Sequence, residues 1–235
     1  MKIGKWIRRI LLTAAVVFAC FCGVIGMKGY QMYGQALDGQ SLEEKVESLR
    51  SAPDYVQLED MTPIYLQAVI SVEDHRFYSH GGIDLIAIGR AALNDLRAMA
   101  FVEGGSTITQ QLAKNLYFTQ EKELTRKAAE MFMAFDLEKN YSKDEILELY
   151  VNSIYFGSGY TGVAQASRGY FGKEPAEMTD YESTLLAGIP NAPSVYALTA
   201  SPQLARKRQL QVVDRMVACG YFTEDQAQET LAAGM

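Results

Sequence analysis

The sequence predicts a mainly α-helical protein, a helical body preceded by one membrane-crossing helix. Three observations predict it. Helix caps and 3.6-residue apolar spacing recur along the chain, while alternating strand patterns hardly occur. An uncharged run of 18 residues, Ile10–Met27, lies near the N-terminus. Gly and Pro clusters fall between the periodic runs rather than within them. With 49% of 235 residues hydrophobic and 21% charged, the chain can bury a core and is not a disordered polymer.

The N-terminal run comes first. As a helix, 18 residues rise roughly 27 Å, close to the about 30 Å of a bilayer core. Trp6 and Tyr30 flank it at interfacial positions. Lys2, Lys5, Arg8 and Arg9 precede it without any acid, which predicts a cytoplasmic N-terminus and a body on the outer face, with Lys28 a minor counter-signal. A cleaved signal peptide would have a shorter apolar region and a small-x-small end. The segment Cys22–Met27 is a poor one, so a retained anchor is expected. Beyond residue 28 the chain holds 17 basic against 28 acidic residues, a net of −11. That balance excludes an ordinary duplex nucleic-acid binder. Cys20, Cys22 and Cys219 cannot form a disulfide framework within the body.

Residues 31–60 read as a polar, partly helical neck, and 61–235 as the main domain. Thr62-Pro63 supplies a cap and an N1 proline ahead of Ile64, Ala68 and Val72. Asp84 is positioned to cap a helix to about Phe101, and Ser106 one over 107–116. A longer helix over about 122–139 has Leu124, Ala128, Met131, Phe132 and Phe135 on its apolar side. Ser142/Glu145, Thr179/Glu182 and Thr223/Gln226 are capping-box pairs. Ser201-Pro202 opens a helix with apolar Leu204, Leu210, Val213 and Met216.

Reactive side chains concentrate in four places. Glu73 to Gly82 (EDHRFYSHGG) ends an apolar helix, so Glu73 starts at the edge of a core, where desolvation raises a carboxylate toward a useful base. In GGSTITQQLAKN (104–115), Thr107, Gln111 and Lys114 share a polar face, and the Gly-Gly leaves helix N–H groups for an anion. In RKAAE (126–130), Arg126 and Lys127 share a face with Glu130, which reads either as a surface ion-pair group or as a diphosphate clamp with or without a divalent metal. In KDEILELYVN (143–152), Glu148 and Asn152 share a face near Tyr150, equally consistent with a site or with a capped structural helix. The two histidines, His75 and His80, form no HExxH pair, and no GxSxG elbow occurs. No Ser precedes a Lys by three places and KTG is absent, so these residues carry no penicillin-sensitive acyl transfer.

Taken together in this order, with the later RGYFGK and GIPNAPS stretches, these motifs resemble the peptidoglycan glycosyltransferases of glycosyltransferase family 51, in their monofunctional membrane-anchored form. The resemblance covers most of 73–194. It implies a lysozyme-like, mainly α fold with a small mobile subdomain facing the membrane. It implies polymerisation of lipid II into β-1,4 glycan with inversion and release of undecaprenyl diphosphate. Carried over by motif, Glu73 is the general base, and Glu130 supports the diphosphate directly or through a divalent cation such as Mg or Mn. Asp74, Thr107, Gln111, Lys114, Asn115, Arg126, Lys127 and Tyr150 bind or shape the substrate. The implied partners are lipid II, the growing strand, the bacterial cytoplasmic membrane and other wall-synthesis proteins, with no nucleic acid and no obligatory cofactor. The sparsely charged stretch Leu85 to Val102 is expected to dip into the outer leaflet, against the alternative of a buried helix pair. Two other functions stay open at this point: a lysozyme-like glycan-cleaving enzyme, and a non-catalytic membrane-tethered scaffold.

Overall fold

A computed structural model describes residues 2–98, 104–118 and 124–234. Twelve α-helices occur among them: α1 (Lys2–Gly39), α2 (Leu42–Arg50), α3 (Pro63–Glu73), α4 (Leu85–Ala98), α5 (Ile108–Tyr117) and α6 (Leu124–Asn140) in the first part. They are followed by α7 (Lys143–Ser153), α8 (Val163–Phe171), α9 (Asp180–Gly188), α10 (Pro193–Tyr196), α11 (Pro202–Ala218) and α12 (Glu224–Ala232). Among the described residues no strand forms, and a single antiparallel bridge joins Tyr155 to Thr161. The mainly α, lysozyme-like class expected from the sequence holds. The far end of the predicted 84–101 helix lies outside the described residues.

The caps read from sequence close most of these helices. Thr62 accepts from the Tyr65 amide at the start of α3. The boxes at Ser142, Thr179 and Thr223 each form in both directions. Asp84 Oδ1 accepts from the Ile86 and Ala87 amides and so starts α4. One cap differs: Thr107, not Ser106, ends the loop before α5, in a capping box with Gln110. The residue that can reach its own N3 amide in an extended conformation takes the role, and Thr107 has that backbone.

Three buried faces also differ from expectation. On α6 the sealed residues are Ala129, Glu130, Met133, Ala134 and Leu137. Phe135 and Leu124 are exposed. The face of Ala128 and Phe132 is covered instead by α1, with Tyr30 edge-on to the Phe132 ring. An apolar stripe long enough for two partners cannot reveal from its own spacing which partner takes which part. On α11, Val213 and Met216 are buried as expected, whereas Leu204 and Leu210 are exposed and Ala205, Gln209 and Val212 take the core. On α3 the core side is Tyr65, Ala68 and Val69, leaving Ile64 and Val72 half-buried.

The central layer is α5 against α7, where Ile108, Leu112, Ile146, Leu147 and Leu149 are out of water. Burying side chains of this size is worth about 1.5–3 kcal/mol each. α6 packs over α5, and α3, α9 and α11 each pack on the other two. Residues 31–60 are part of this body: α1 runs unbroken to Gly39, Val46 of α2 is sealed in the core, and Tyr33, Leu37 and Leu49 pack against it. Glu148 and Asn152 do this work from α7. Glu148 accepts from the Tyr55 hydroxyl (2.6 Å) and the Leu58 amide (3.1 Å). Asn152 accepts from the Val56 amide and donates to its carbonyl. The structural alternative for this pair is the one the geometry supports, because each polar atom is used to pin the 55–58 segment.

Candidate active site

The last turn of α3, the N-terminal half of α5, the first half of α6 and one face of α11 enclose a cleft of about 980 Å³. Glu73 stands at its wall. Its Oε2 accepts from Gln111 Nε2 at 2.8 Å, and its Oε1 is sealed from solvent without a hydrogen-bond partner among the described residues. Tyr150, fully buried beneath, donates its hydroxyl to Gln111 Oε1 at 3.2 Å. That bond fixes the Gln111 amide with its N–H toward Glu73. Burial pushes the Tyr150 phenol well above its ordinary range, so it remains a donor. Burial also raises the Glu73 carboxyl, opposed by the Gln111 bond and by the charges of Arg208 and Lys114. A carboxylate held this way is a stronger base than a solvated one.

Opposite stands a basic group. Arg126 Nε lies 2.9 Å from Glu130 Oε1, an ion pair by distance without hydrogen-bond alignment. Lys127 Nζ donates to Glu130 Oε2 at 2.9 Å and to Ser106 Oγ at 2.8 Å. Lys114 lines the same cleft and feels both carboxylates; its pKa is lowered, first by burial, with Glu130 opposing and the neighbouring cations adding to the fall. Glu130 is only 2% exposed. Each Glu130 oxygen has a cation 2.9 Å away, Arg126 at Oε1 and Lys127 at Oε2, and Oε1 keeps a lone pair that no hydrogen bond uses, so a divalent ion at Glu130 would have to share the carboxylate with both. Asp74, His80 and Asp84 do gather ligand atoms within 4.8 Å of one another. Each of their carboxylate oxygens already has a partner, however. Asp74 holds His80 and the Ile108 amide, and Asp84 holds Arg76 at 2.9 Å and two amides. The cluster braces the loop onto α5 and beside a guanidinium offers poor ground for a cation.

Other sequence-derived site residues are placed as follows. Gln111, Lys114, Arg126, Lys127, Glu130, Glu73 and Asp74 all line the cleft. Thr107 does not: its hydroxyl donates to Gly82 O at 2.7 Å and accepts from the Gln110 amide, a closed cap with no face left for a ligand. The same packing corrects the expected anion site at the start of α5. Asp74 Oδ2 already occupies it through the Ile108 amide (3.1 Å), the favourable place for a carboxylate on a helix dipole. Gly82 makes the approach of this loop feasible, since a Cβ there would come 2.9 Å from the Ala134 backbone. Asn115 is half-buried on α5 and is not among the lining residues. Tyr150 lies below the cleft and reaches it only through its bond to Gln111.

The sequence reading missed the far wall. Arg208, Gln211 and Arg215 project from α11 into the cleft, and His75, Arg90 and Tyr196 join them. The signal was present in the i, i+3, i+7 spacing of Arg208, Gln211 and Arg215, a polar stripe opposite Val212 and Val213. Its destination depended on how α11 docks on α3.

Residues 38–217 match the transglycosylase family. Penicillin-binding protein 2D of Bacillus subtilis is 46% identical over 177 residues, covering 75% of this chain and 26% of that protein. Penicillin-binding protein 1A of Aquifex aeolicus is 44% identical over the same length, 75% of this chain and 24% of that protein. The chain thus spans about a quarter of the length of these penicillin-binding proteins. A putative transglycosylase of Cupriavidus necator is 39% identical over 210 residues, 89% of this chain and 88% of the relative. With a family match across the helices that build the cleft, and a relative aligned over most of both lengths, this chain belongs to the transglycosylase family.

Proposed function

We propose that this chain is a peptidoglycan glycosyltransferase that polymerises lipid II into linear β-1,4 glycan strands. The observation that carries the reading is the juxtaposition in one cleft of a desolvated carboxylate and three cations. Glu73 has an unpartnered oxygen, and Lys114, Arg126 and Lys127 are held on the other side. Glu73 takes the proton from the acceptor 4-hydroxyl. The oxygen then attacks the anomeric carbon of an α-linked donor as the bond to the diphosphate breaks, and the configuration inverts. Negative charge grows on the departing undecaprenyl diphosphate, where fixed cations in a partly dehydrated site lower the barrier. Glu130 serves this step by holding Arg126 and Lys127. Asp74 and Tyr150 position the base and Gln111; Arg208 and Arg215 add positive potential at the other wall.

A lipid-tailed substrate also explains the rest of the chain. α1 contains the one helix among the described residues long and apolar enough to cross a membrane. The N-terminus is cytoplasmic and the cleft lies on the outer face, in keeping with the basic residues before the span. Leu85 (73% exposed), Ile86 and Leu93 present an apolar side of α4 that enters the outer leaflet. The test is a detergent assay on fluorescent lipid II. Lysozyme-digestible polymer from the unaltered chain, lost in Glu73→Gln, supports the reading. Shortening of preformed glycan, or neither activity in a folded sample, overturns it.

A further inference from the structure

α1 changes character along its length. From Trp6 to Val24 every described residue is exposed all round. From Ile25 onward one face is covered: Ile25, Gly26, Gly29, Met32, Tyr33, Ala36 and Leu37 recur at helical spacing, and Gly29 is buried. The partner is α6, and the contact is the most extensive between any two helices here. A Cβ on Gly29 would come 2.5 Å from Ala128 Cβ and 3.1 Å from the α6 backbone, so only glycine permits this approach. Farther along, Tyr33 packs on Phe132 and donates its hydroxyl to Asp136. The pairings advance together, Gly29 with Ala128 and then Tyr33 with Phe132 and Asp136. The helices are therefore parallel, and the start of α6 points toward the membrane.

We infer that α1 is a docked support rather than a loose tether, and that its seat on α6 sets the basic clamp at the level of the lipid headgroups. The inference rests on the reading of Lys114, Arg126 and Lys127 as a diphosphate clamp. Counting back from the Gly29–Ala128 contact puts Arg126 and Lys127 beside residues 27–28 of α1, where the uncharged run ends at Met27. Exposed Leu124 then lies lower, at the apolar side of the boundary. Glu130 stands about 4.5 Å farther out, three residues at about 1.5 Å each. A lipid-linked diphosphate meets Arg126 and Lys127 at the depth where its tail already holds it, without being drawn out of the bilayer.

The test compares full-length lipid II in vesicles with a short-tailed, water-soluble analogue. Gly29→Leu unseats α1 from α6. It is expected to lower kcat/KM at least 10-fold on the vesicle substrate, through KM, and to leave the soluble analogue within about twofold. Gly29→Ala is expected to show a smaller loss that Ala128→Gly restores by returning the missing space. Gly23→Leu, where nothing lies within 4 Å, changes neither rate. Equal losses on both substrates, or no loss, overturn the inference. A second measurement is independent of turnover. Leu124→Trp in a Trp6→Phe chain is expected to be quenched by lipids brominated close to the headgroup, and Gly29→Leu to abolish that quenching. Absence of quenching in the docked chain overturns the inference even if polymer forms. Quenching without polymer from either substrate overturns the proposed function and leaves the docking geometry standing.

Discussion

Replacing Glu73 by Gln should stop the chemistry and strengthen the fold, and the second effect should depend on pH. The wild-type carboxylate has one oxygen bonded to Gln111 and the other buried without a partner. Burial raises its pKa above the ordinary 4.5. A carboxyl whose folded pKa stands above its unfolded one stabilises the fold fully only below the unfolded value. That contribution is lost as the pH rises through the folded value. Wherever it is ionised, the wild-type carboxylate is a desolvated charge that Gln lacks, while Gln retains an acceptor for Gln111. Relief of strain of this kind at a functional site is worth about 0.5–2 kcal/mol. At about 2–4 °C per kcal/mol for a chain of this size, Tm should rise by about 1–8 °C. The two proteins should converge as the pH falls below 4.5, where both states of the wild type are protonated. Thermal unfolding in detergent at pH 7.5 and at pH 4, beside the lipid II assay, measures both effects. Turnover should fall by at least ~10²-fold. A variant less stable than wild type at pH 7.5, or a gap that does not change with pH, refutes the electrostatic account of Glu73. Near-wild-type polymerisation refutes its role as base.

Other outcomes follow from the same geometry. Lys114→Ala should lower kcat/KM by about 10²-fold, the loss seen when one fixed charge-stabilising donor is removed; an unchanged rate in a steady-state assay takes Lys114 out of the site. Because burial lowers the Lys114 pKa, the alkaline limb of the rate profile should lie below the ordinary 10.5 of lysine, and Lys114→Arg should move that limb upward. Glu130→Gln removes the charge shared by Arg126 and Lys127. It should cost about 1–3 kcal/mol of stability, at the lower end because Lys127 is 40% exposed, and should weaken turnover with no rescue by added Mg or Mn. Restoration by metal would return a cation to the mechanism. Asn152→Ala should destabilise by about 1–3 kcal/mol through the lost Val56 contacts, with the rate per folded molecule unchanged; a selective fall in rate would make Asn152 part of the site.

Much of this protein is local, and local features are legible in a sequence. Thr62, Ser142, Thr179, Ser201 and Thr223 start helices because a side-chain oxygen reaches an amide two or three residues ahead, which needs nothing from elsewhere in the chain. The uncharged run at 10–27, and the placement of Glu73 at the end of an apolar helix, are of the same kind. What the tertiary structure decided are the choices between distant partners. Thr107 became a closed cap because Gly82 O, 25 residues away, came within reach of its hydroxyl. The start of α5 was closed to an outside anion because Asp74, 34 residues earlier, supplied the carboxylate. Glu148 and Asn152 became pins because 55–58 passes beside α7. Phe132 lost its expected place in the core to the contact with α1. Arg208 and Arg215 entered the cleft because α11 docks against α3. Spacing along a helix determines which residues share a face, but what that face meets is set by packing across the whole chain.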